Sequence, residues 1–411
     1  MPEPEDGLEA YLVGGAVRDE LLGREVKDRD WVVVGSTPEA MLQRGFKSVG
    51  RDFPVFLHPE TDDEYALARR ERKTAPGYTG FEFDSGPSVT LEQDLARRDL
   101  TINAMAMTAD GKLIDFFHGR RDLERGLLRH VSPAFVEDPV RVLRVARFRA
   151  RYDFGVAGET LALMRDMVRA GEVDALVPER VWQELSGALA ERRPSRFVET
   201  LRGCGALRRV FPEIEALFGV PQRKDFHPEV DSGIHTLLVI DTAARLSDVL
   251  AVRFAALVHD LGKALTPLDQ LPSHKGHELR GLAPVRMLCE RLRVPKSCHQ
   301  LGLLVCRHHL AMHKLLEAEP ATIVKLLEAI DAFRRPERVQ HLAVACEADA
   351  RGRKGMEYRA YPQARLLQRC FEAARAVDNA SIAALLDDGR AIAGAIHRQR
   401  CAAVAAIMRP G

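Results

Sequence analysis

The chain has 411 residues, of which 46% are hydrophobic and 29% are charged, and its formal net charge is +1. This length accommodates about two to four domains. Because the net charge is close to zero, any nucleic-acid-binding surface must be a local basic patch. The seven cysteines include no CxxC pair, which favours reduced thiols over a disulfide framework. Because no apolar run approaches the roughly 18 residues of a membrane span and Met1–Gly7 is not a signal peptide, we expect a cytoplasmic protein.

The first 115 or so residues predict a mixed α/β fold. Short apolar runs bounded by Gly, Ser or charged residues predict strands, and longer periodic runs predict helices. The predicted strands are Leu8–Val13, Trp31–Val34, Val55–His58, Glu64–Ala68 and Thr101–Met107, and the predicted helices are Ala16–Leu22, one that opens near Pro38, and Leu91–Arg97. The segment Arg69–Pro87 is charged and rich in Gly and Pro, so we interpret it as a mobile loop.

After about Leu123 the strand signal fades and helical periodicity replaces it. The predicted helices are Val140–Arg151, Glu159–Ala170, Arg180–Glu191 and Ser195–Leu201, followed by helical blocks from Ile234 to about Ala348 and from Tyr361 to Ile407. The charged, Pro-containing segment Pro221–Asp231 is predicted as a loop between helical blocks. The sequence therefore predicts an α+β fold, in which a head with a mixed sheet precedes an all-helical body.

The segment Gly14-Gly15-Ala16-Val17-Arg18-Asp19 joins the first predicted strand to the first predicted helix. Backbone N–H groups at such a turn, together with a helix N-terminus, can hold a triphosphate. Gly15 would lie against the phosphates, and Arg18, one turn into the helix, would add a charge-assisted contact. Gly-Gly alone indicates only a turn, so this interpretation requires a second feature.

Asp28 and Asp30 supply that feature at the entrance to the strand Trp31–Val34. In extended backbone, side chains two residues apart point to one face. Carboxylates beside a triphosphate suit Mg²⁺, and two such ions can stabilise the attacking and leaving oxygens of nucleotidyl transfer. An isolated Asp-x-Asp is more often a solvated loop, but in this order after Gly-Gly the set resembles the nucleotidyltransferase superfamily that includes DNA polymerase β.

That resemblance implies a third carboxylate on a neighbouring strand. Glu64, in the segment Glu64-Tyr65-Ala66-Leu67-Ala68-Arg69, is the best candidate for this role. The alternative is that Glu64 is a surface charge at the end of a strand.

Two further motifs bring the resemblance closer, namely Arg97-Arg98-Asp99-Leu100-Thr101-Ile102-Asn103-Ala104 and Glu137-Asp138-Pro139-Val140-Arg141. With the head motifs they resemble class II tRNA nucleotidyltransferases, the bacterial and eukaryotic CCA-adding enzymes, over residues from about 11 to 215. The resemblance implies that the protein adds C, C and A to the tRNA acceptor end from CTP and ATP without a template. It also implies that Arg98 orients the ribose and triphosphate, and that residues 69–80 form the family's flexible loop.

The same resemblance assigns recognition of the incoming base to Asp138 and Arg141. A carboxylate can accept from the exocyclic amine that cytosine and adenine share, and a guanidinium can donate to ring acceptors. At i and i+3 the two residues share one helix face. Arg144 and Arg147 continue that face and are candidate nucleotide-binding residues, with a solvated basic stripe as the alternative.

The helical body contains His259-Asp260 within Ala255-Ala256-Leu257-Val258-His259-Asp260-Leu261-Gly262-Lys263. This segment resembles the HD phosphohydrolase superfamily, whose order of ligands is His, His-Asp and Asp. The resemblance implies that His235, His259, Asp260 and Asp349 bind a divalent metal. Imidazole with carboxylate suits a transition metal such as Ni²⁺ or Mn²⁺, or Mg²⁺ with added waters, and the ion would activate water against a phosphoester.

Other histidines surround this motif in the sequence, and they are weaker candidates for second-site ligands or phosphate contacts: His274, His277, His308, His309 and His313. By resemblance, the domain hydrolyses 2′,3′-cyclic phosphates, 2′-nucleotides and other phosphoesters. A damaged tRNA end that carries a cyclic phosphate lacks a free 3′-hydroxyl, so we hypothesise that this hydrolysis precedes extension.

The whole chain therefore resembles the bacterial multifunctional CCA proteins. The predicted domains are a polymerase β-like nucleotidyltransferase head over residues 1–120, a helical neck for base recognition and RNA binding over 121–224, an HD domain over 225–350 and a helical tail over 351–411. We expect a monomer or a homodimer.

Three other functions are compatible with parts of the sequence. A bacterial poly(A) polymerase has a similar head, but such enzymes usually carry a long basic tail and no HD domain. An HD phosphohydrolase whose head only binds nucleotide or RNA would not need both Asp28 and Asp30. A bifunctional alarmone synthetase–hydrolase has its HD domain first, which is the reverse of the order here.

Overall fold

The computed structural model describes residues 7–26, 28–49, 55–73, 81–84, 86–386 and 388–408. In order along the chain, its strands are β1 (Glu9–Val13), β2 (Asp30–Val34), β3 (Lys47–Val49), β4 (Val55–Leu57), β5 (Glu64–Leu67), β6 (Arg70–Lys73), β7 (Phe81–Asp84), β8 (Ala106–Met107), β9 (Leu113–Ile114), β10 (Leu127–Leu128) and β11 (Gly155–Val156).

The helices of the first part of the chain are α1 (Gly15–Leu21), α2 (Pro38–Gln43), α3 (Leu91–Ala96), α4 (Gly119–Glu124), α5 (Val140–Tyr152), α6 (Gly158–Arg169), α7 (Pro178–Ala190), α8 (Ser195–Cys204), α9 (Ala206–Val210) and α10 (Pro212–Glu215). The later helices are α11 (Ser232–Leu246), α12 (Leu250–Val258), α13 (His277–Arg280), α14 (Leu282–Arg291), α15 (Lys296–His313), α16 (Pro320–Ala329), α17 (Glu337–Arg351), α18 (Pro362–Arg375), α19 (Asn379–Ala383) and α20 (Gly389–Met408).

The chain divides into two compact units. The first comprises Met1–Val177 with Gly203–Arg209, and the second comprises Pro178–Arg202 with Val210–Gly411. The described strands all lie in the first unit, and the second is helical, so the predicted α+β fold with a mixed-sheet head and a helical body is confirmed.

The first unit is built around a mixed sheet with the strand order β3-β4-β5-β2-β1-β8-β9. β2 and β5 are parallel, whereas the other neighbouring strands run antiparallel. Side chains alternate between the two faces of a strand, and Val13 of β1 and Val32 of β2 face a buried cluster that also contains Leu91 and Leu95 of α3. A capping box fixes the start of α3, because the side chains of Thr90 and Gln93 each accept from the other residue's backbone N–H.

Two predictions for the head are wrong. The segment interpreted as a mobile loop contains β6 and β7, which pair as an antiparallel hairpin, while residues 74–80 and 85 lie outside the described residues. The strand predicted at Thr101–Met107 is a 3-10 helix at Thr101–Asn103 followed by the short strand β8. The apolar run misled the strand prediction because residues 101–107 are all buried, and a fully buried segment loses its periodicity.

The second unit packs its helices around one large apolar cluster. Val252 and Ala255 of α12 meet Val305 of α15 and Leu342 of α17 in this cluster. Helices α11, α12, α15 and α17 carry polar residues at one end of their buried faces, and these residues form the site described below. The segment predicted as a loop at Pro221–Asp231 contains no helix or strand and is closed by a single bridge between its ends.

Among the residues that the model describes, no helix combines the length and apolar character needed to cross a bilayer.

Candidate active sites

The glycine turn after β1 lies directly against an arginine of the second head motif. Gly14 has φ of +69°, a conformation that favours glycine. A Cβ at Gly14 would come within 2.7 Å of the Arg98 Nη1 atom. The backbone conformation therefore favours glycine here, and a side chain at this position would displace the Arg98 guanidinium, which belongs to a residue 84 positions away in the sequence.

Arg18 points into the protein rather than along the turn. Its guanidinium contacts both oxygens of Asp19, at 2.9 and 3.0 Å, and donates to Asn103 Oδ1 at 2.5 Å. It lies 5.2 Å from the centre of the Tyr152 ring, and the Tyr152 hydroxyl donates to Asp19. Arg18 is 4% exposed, so in this arrangement it fixes α1 against α5. A phosphate contact from Arg18 stays a prediction.

The three candidate carboxylates of the head lie at or just before the first residues of two neighbouring strands. Asp30 opens β2, Asp28 lies two residues before it, and Glu64 opens β5. Glu64 is the register partner of Asp30 in the parallel β2–β5 pair, so the two side chains share one face of the sheet. All three side chains are exposed.

The surroundings of Asp30 disfavour its charged form. Although its side chain reaches solvent, desolvation raises the pKa of Asp30, the nearby Arg98 lowers it and the Asp28 charge raises it again, with a net upward shift. Two carboxylates whose charges repel each other beside a cation are a donor set suited to a divalent ion. The residues present therefore fit Mg²⁺.

A buried carboxylate that the sequence reasoning missed holds Arg98 in place. Asp94 of α3 is fully buried, and its oxygens lie 2.7 Å from Arg97 Nη2 and 3.2 Å from Arg98 Nη2. It also accepts from the backbone N–H of Arg69, just before β6. Burial alone would raise the pKa of Asp94, but the charges of Arg98 and Arg97 outweigh it and lower that pKa.

Asp99 and Asn103 connect two of the predicted nucleotide-binding arginines. Asp99 Oδ2 lies 2.7 Å from Arg144 Nε, and Asp99 Oδ1 accepts from Asn103 Nδ2 at 3.0 Å. Asn103 in turn accepts from Arg18. Asn103 was not identified from the sequence as a functional residue, although its place in the Arg-Arg-Asp motif was a usable signal.

The proposed base-reading pair lies at the start of α5. Asp138 accepts from the backbone N–H of Val140 at 3.1 Å. The Arg141 guanidinium donates to the carbonyl oxygens of Ala134, at 2.8 Å, and Arg97, at 2.7 Å. Arg141 therefore joins the helix to the second head motif. Further along, the Arg147 guanidinium lies 4.9 Å from the centre of the Phe148 ring.

The four residues predicted as HD ligands come together in the second unit. His235 lies in the first turns of α11, His259 is the residue after α12, Asp260 follows it, and Asp349 lies near the end of α17. All four are buried. His235 Nε2 is 3.0 Å from Asp349 Oδ1 and 3.8 Å from Asp260 Oδ2, and His259 Nε2 is 3.2 Å from Asp260 Oδ2.

The outer contacts of these histidines orient their inner nitrogens. His259 Nδ1 donates to the Ala256 carbonyl at 2.8 Å, and His235 Nδ1 lies 2.9 Å from Glu229 Oε1. Such contacts leave the Nε2 lone pairs aimed at the centre, as in metal sites. His259 Nε2 is a buried atom without a hydrogen-bond partner among the described residues. Metal-dependent HD chemistry therefore fits this donor set.

The surrounding charges keep both carboxyl groups ionised. Burial would raise the pKa of Asp260, but His259 and Lys263 outweigh it and hold that pKa well below its usual range. Burial would likewise raise the pKa of Asp349, but His313 and Arg353 hold it well below its usual range.

Several residues at this site were not identified from the sequence. Glu229 supports His235 from the loop before α11, and the Lys263 Nζ atom lies 2.5 Å from Asp260 Oδ2. Tyr361, from the predicted tail, has its hydroxyl 3.0 Å from His313 Nδ1. Lys263 was visible beside the His-Asp pair, whereas Glu229 and Tyr361 had no local signal.

The five histidines that the sequence marked as weaker candidates differ in their positions and contacts. His277 and His309 are buried beside Asp260, and His313 Nε2 lies 2.6 Å from Asp349 Oδ2. His274 contacts Thr266 and the Pro221 carbonyl at the edge of the site. His308 is only partly buried.

A cavity of about 930 Å³ opens onto Asp260, His277, His309 and Asp349. The basic residues on its walls are Arg223, Lys263, Lys275, Lys314, Arg353 and Arg359.

Three family models match this chain. Residues 10–129 match the Poly A polymerase head domain, residues 153–218 match the probable RNA and SrmB-binding site of polymerase A, and residues 233–335 match the HD domain. Asp349 lies outside the matched part of the HD domain, although it contacts His235. The fold and the two sites define the class as a metal-dependent nucleotidyltransferase head joined to an HD hydrolase domain.

Full-length relatives narrow this class to one family. The multifunctional CCA protein of Nitrosococcus oceani is 61% identical over 397 residues, covering 97% of this chain and 98% of that protein. That of Paraburkholderia phymatum is 61% identical over 406 residues, covering 97% of both chains. The chain belongs to the multifunctional CCA protein family. It is therefore an enzyme with a nucleotidyltransferase and a hydrolase domain, and both families imply divalent metals.

Solved structures show the same fold at lower identity. A CCA-adding enzyme in its apo form II has a TM-score of 0.66 at 21% identity, covering 97% of this chain and 89% of that one. The Bacillus stearothermophilus CCA-adding enzyme in complex with CTP has a TM-score of 0.61 at 21% identity, with the same coverage.

Proposed function

We propose that the protein adds C, C and A to the 3′ end of tRNA from CTP and ATP, without a template, for tRNA maturation and repair. We further propose that its HD domain is a metal-dependent 2′,3′-cyclic phosphodiesterase, 2′-nucleotidase and phosphatase. Membership of a family whose relatives match nearly the full chain is the observation that supports this function best. We also propose that the protein acts in the cytoplasm and that it is a monomer or a homodimer.

In the head, Asp28 and Asp30 would hold Mg²⁺, and Glu64 is the third carboxylate. Bound there, Mg²⁺ would neutralise the triphosphate and favour the departure of pyrophosphate. The tRNA 3′-hydroxyl loses its proton and its oxygen forms a bond to the α-phosphorus, while the bond between that phosphorus and the β-phosphate bridging oxygen breaks. Arg98, which Asp94 holds against Gly14, would orient the triphosphate.

The neck would select the base. Asp138 and Arg141 accept from the exocyclic amine and donate to the ring acceptors that cytosine and adenine present. Arg144 and Arg147 would extend this face toward the nucleotide, and Gly15 and Arg18 would contact or support the phosphates. We propose residues 1–120 as head, 121–224 as neck, 225–350 as HD domain and 351–411 as tail, a finer division than the two compact units.

In the HD domain, His235, His259, Asp260 and Asp349 would hold the ion, for which Ni²⁺, Mn²⁺ and Mg²⁺ are candidates. When bound, it would make water a better nucleophile at neutral pH. Water then attacks the phosphorus of a cyclic phosphate, one ester bond to the ribose breaks, and the departing oxygen takes up a proton. Lys263 and Arg353, both on the wall of the cavity, are placed to hold the phosphate oxygens.

The decisive experiment offers the purified protein a tRNA that lacks CCA, with Mg²⁺ and the four nucleoside triphosphates singly and in combination. Two C additions followed by one A and arrest, all lost in an Asp28→Ala, Asp30→Ala double variant, support the proposal. Long A tracts without C would instead identify a poly(A) polymerase. No incorporation, with cyclic phosphate still hydrolysed, would leave an HD hydrolase whose head only binds nucleotide or RNA.

A further inference from the structure

We propose that Asp94 is a positioning residue that fixes the triphosphate-binding arginine, Arg98, and the base-reading arginine, Arg141, at the same time. Binding of the triphosphate and selection of the base would then be coupled through the end of α3. This inference rests on the proposed function of the head. It adds a residue that is fully buried, and so acts on the nucleotide only through other side chains.

The two oxygens of Asp94 contact different partners. Its Oδ2 atom lies 3.2 Å from Arg98 Nη2, whereas its Oδ1 atom lies 2.7 Å from Arg97 Nη2 and 3.0 Å from Arg97 Nε. The Oδ1 atom also accepts from the backbone N–H of Arg69 at 3.3 Å. Hydrogen bonds between charged groups are the stronger ones in proteins. A single carboxylate therefore holds two neighbouring guanidinium groups.

The contact with Arg98 sets the place at which a triphosphate would bind. The Arg98 guanidinium lies where a side chain at Gly14 would otherwise extend. Arg98 Nε is a buried atom without a hydrogen-bond partner among the described residues. A guanidinium has five N–H donors, and Asp94 accepts from one of them. Asp94 thus orients Arg98 and leaves it donors for phosphate oxygens.

The contact with Arg97 reaches the base-reading residue through the backbone. Arg97 is the C-cap of α3, and the last carbonyls of a helix have no partner within that helix. The Arg97 carbonyl accepts instead from Arg141 Nη2 at 2.7 Å, and Arg141 Nη1 donates to the Ala134 carbonyl at 2.8 Å. These two carbonyls fix the plane of the Arg141 guanidinium. Because Asp94 holds the Arg97 side chain, it restrains one of them.

The charge of Asp94 is needed to keep both arginines in place. Burial raises the pKa of Asp94, but the charges of Arg98 and Arg97 outweigh it and lower that pKa, so the carboxyl group is ionised. The two arginines carry like charges, which repel each other, and the carboxylate that both contact offsets this repulsion. Without it we expect both guanidinium groups to move.

The test measures addition of C or U to a tRNA that lacks CCA, with the full-length chain, Mg²⁺ and either CTP or UTP. The ratio of kcat/KM for CTP to that for UTP reports base selection. Both values come from one preparation, so a loss of folded protein lowers them equally and leaves the ratio unchanged. We expect Asp94→Ala to raise the KM for CTP and to lower this ratio, each on the order of 10-fold, as for the loss of one charge-assisted hydrogen bond.

Two further substitutions separate the two effects. In Asp94→Asn the amide oxygen takes the Oδ1 position, to which Arg69 and Arg97 donate, and the amide N–H groups face Arg98. This variant should raise the KM for CTP and keep most of the selection against UTP. Arg97→Met should do the reverse, because Asp94 still holds Arg98 while the Arg97 carbonyl loses its restraint.

Glu92→Gln is the matched control, because Glu92 is an exposed carboxylate on the same helix; it should leave the KM and the ratio unchanged. Thermal unfolding checks that each variant is folded, and if Asp94→Ala is unfolded, Asp94→Asn and Arg97→Met carry the test together. A wild-type ratio in Arg97→Met, or in folded Asp94→Ala, would overturn the coupling and leave CCA addition in place. Failure of the unsubstituted chain to add C would overturn the proposed function itself.

Discussion

Asp30 and Glu64 are register partners at the first positions of two neighbouring parallel strands, β2 and β5. Because partners in a ladder point to the same face, Glu64 is placed beside the two aspartates and not elsewhere on the head. We expect Glu64→Gln to lower the kcat of nucleotide addition on the order of 10–100-fold with a smaller effect on the KM for CTP, since it removes a metal-directed charge. Single-turnover incorporation of C measures this.

The nearby exposed Glu60 offers a matched control for Glu64. Glu60 lies in the turn between β4 and β5, so Glu60→Gln makes the same chemical change without touching the strand ends. Equal rates for the Glu64→Gln and Glu60→Gln variants would show that Glu64 is only a surface charge.

Asp99 links the stability of the head to pH. Burial alone would raise the pKa of Asp99, but the Arg144 charge and the hydrogen bond from Asn103 outweigh it and lower the pKa to about 2. The pKa of an aspartate in the unfolded chain is about 3.9. The interaction of Asp99 with Arg144 therefore stabilises the fold fully above that pH. This stabilisation is lost as the pH falls toward 2. At pH 7 it contributes about 2–3 kcal/mol by linkage. We expect Asp99→Asn to lower the free energy of unfolding by about that amount at pH 7, and by less at pH 3.

A double-mutant cycle with Arg144→Ala identifies the partner of Asp99. If the pair carries the effect, the two substitutions together should cost clearly less than the sum of their separate costs in urea unfolding. Strict additivity at pH 7 would mean that the low pKa has another source.

The sequence predicted best those features whose residues lie close together along the chain. The Gly14-Gly15 turn, the Asp28 and Asp30 pair and the His259-Asp260 pair are each local, and the strands and the helix that carry the first two were predicted to within about two residues. The hairpin formed by β6 and β7 was missed because the Gly and Pro residues in this segment predict a loop. The two strands are short and pair only with each other, so their own signal in the sequence is weak.

Two of the missed residues make contacts with residues that are distant in the sequence. Asp94 reaches Arg69 across 25 positions of the sequence, and Tyr361 reaches His313 across 48. Each of these residues has ordinary neighbours in the sequence, and only packing reveals that it is buried against a charge or an imidazole. Asp349 was predicted solely from the order of ligands in a family, since 114 positions separate it from His235.

The two activities should separate by mutation. His259→Ala removes one imidazole from the four predicted HD ligands, so hydrolysis of 2′,3′-cyclic AMP should fall on the order of 100-fold, while CCA addition to a tRNA that lacks CCA and has a free 3′-hydroxyl stays near the wild-type rate. On a tRNA lacking CCA and ending in a 2′,3′-cyclic phosphate, the variant should also fail to add nucleotides, because no 3′-hydroxyl is released.

The tRNA that ends in a cyclic phosphate distinguishes linked activities from independent ones. Gel analysis of the cyclic-phosphate tRNA reports ring opening and extension together, and His308→Ala serves as the matched control. Normal ring opening by His259→Ala would exclude this site from the hydrolysis.

Gly262, two residues after Asp260, allows the turn that follows the His-Asp pair to pack against α13. A Cβ there would overlap the His277 carbonyl oxygen and approach the Gly281 nitrogen to 2.5 Å. These are backbone atoms, which cannot rotate away, so Gly262→Ala should destabilise the HD domain on the order of 1–3 kcal/mol and displace His277. We expect a lower Tm and a loss of cyclic phosphate hydrolysis, with nucleotide addition retained. Gly389→Ala is the control, since a Cβ there meets no atom within 4 Å of the described structure, and an equally small effect of both substitutions would show that α13 can move without cost.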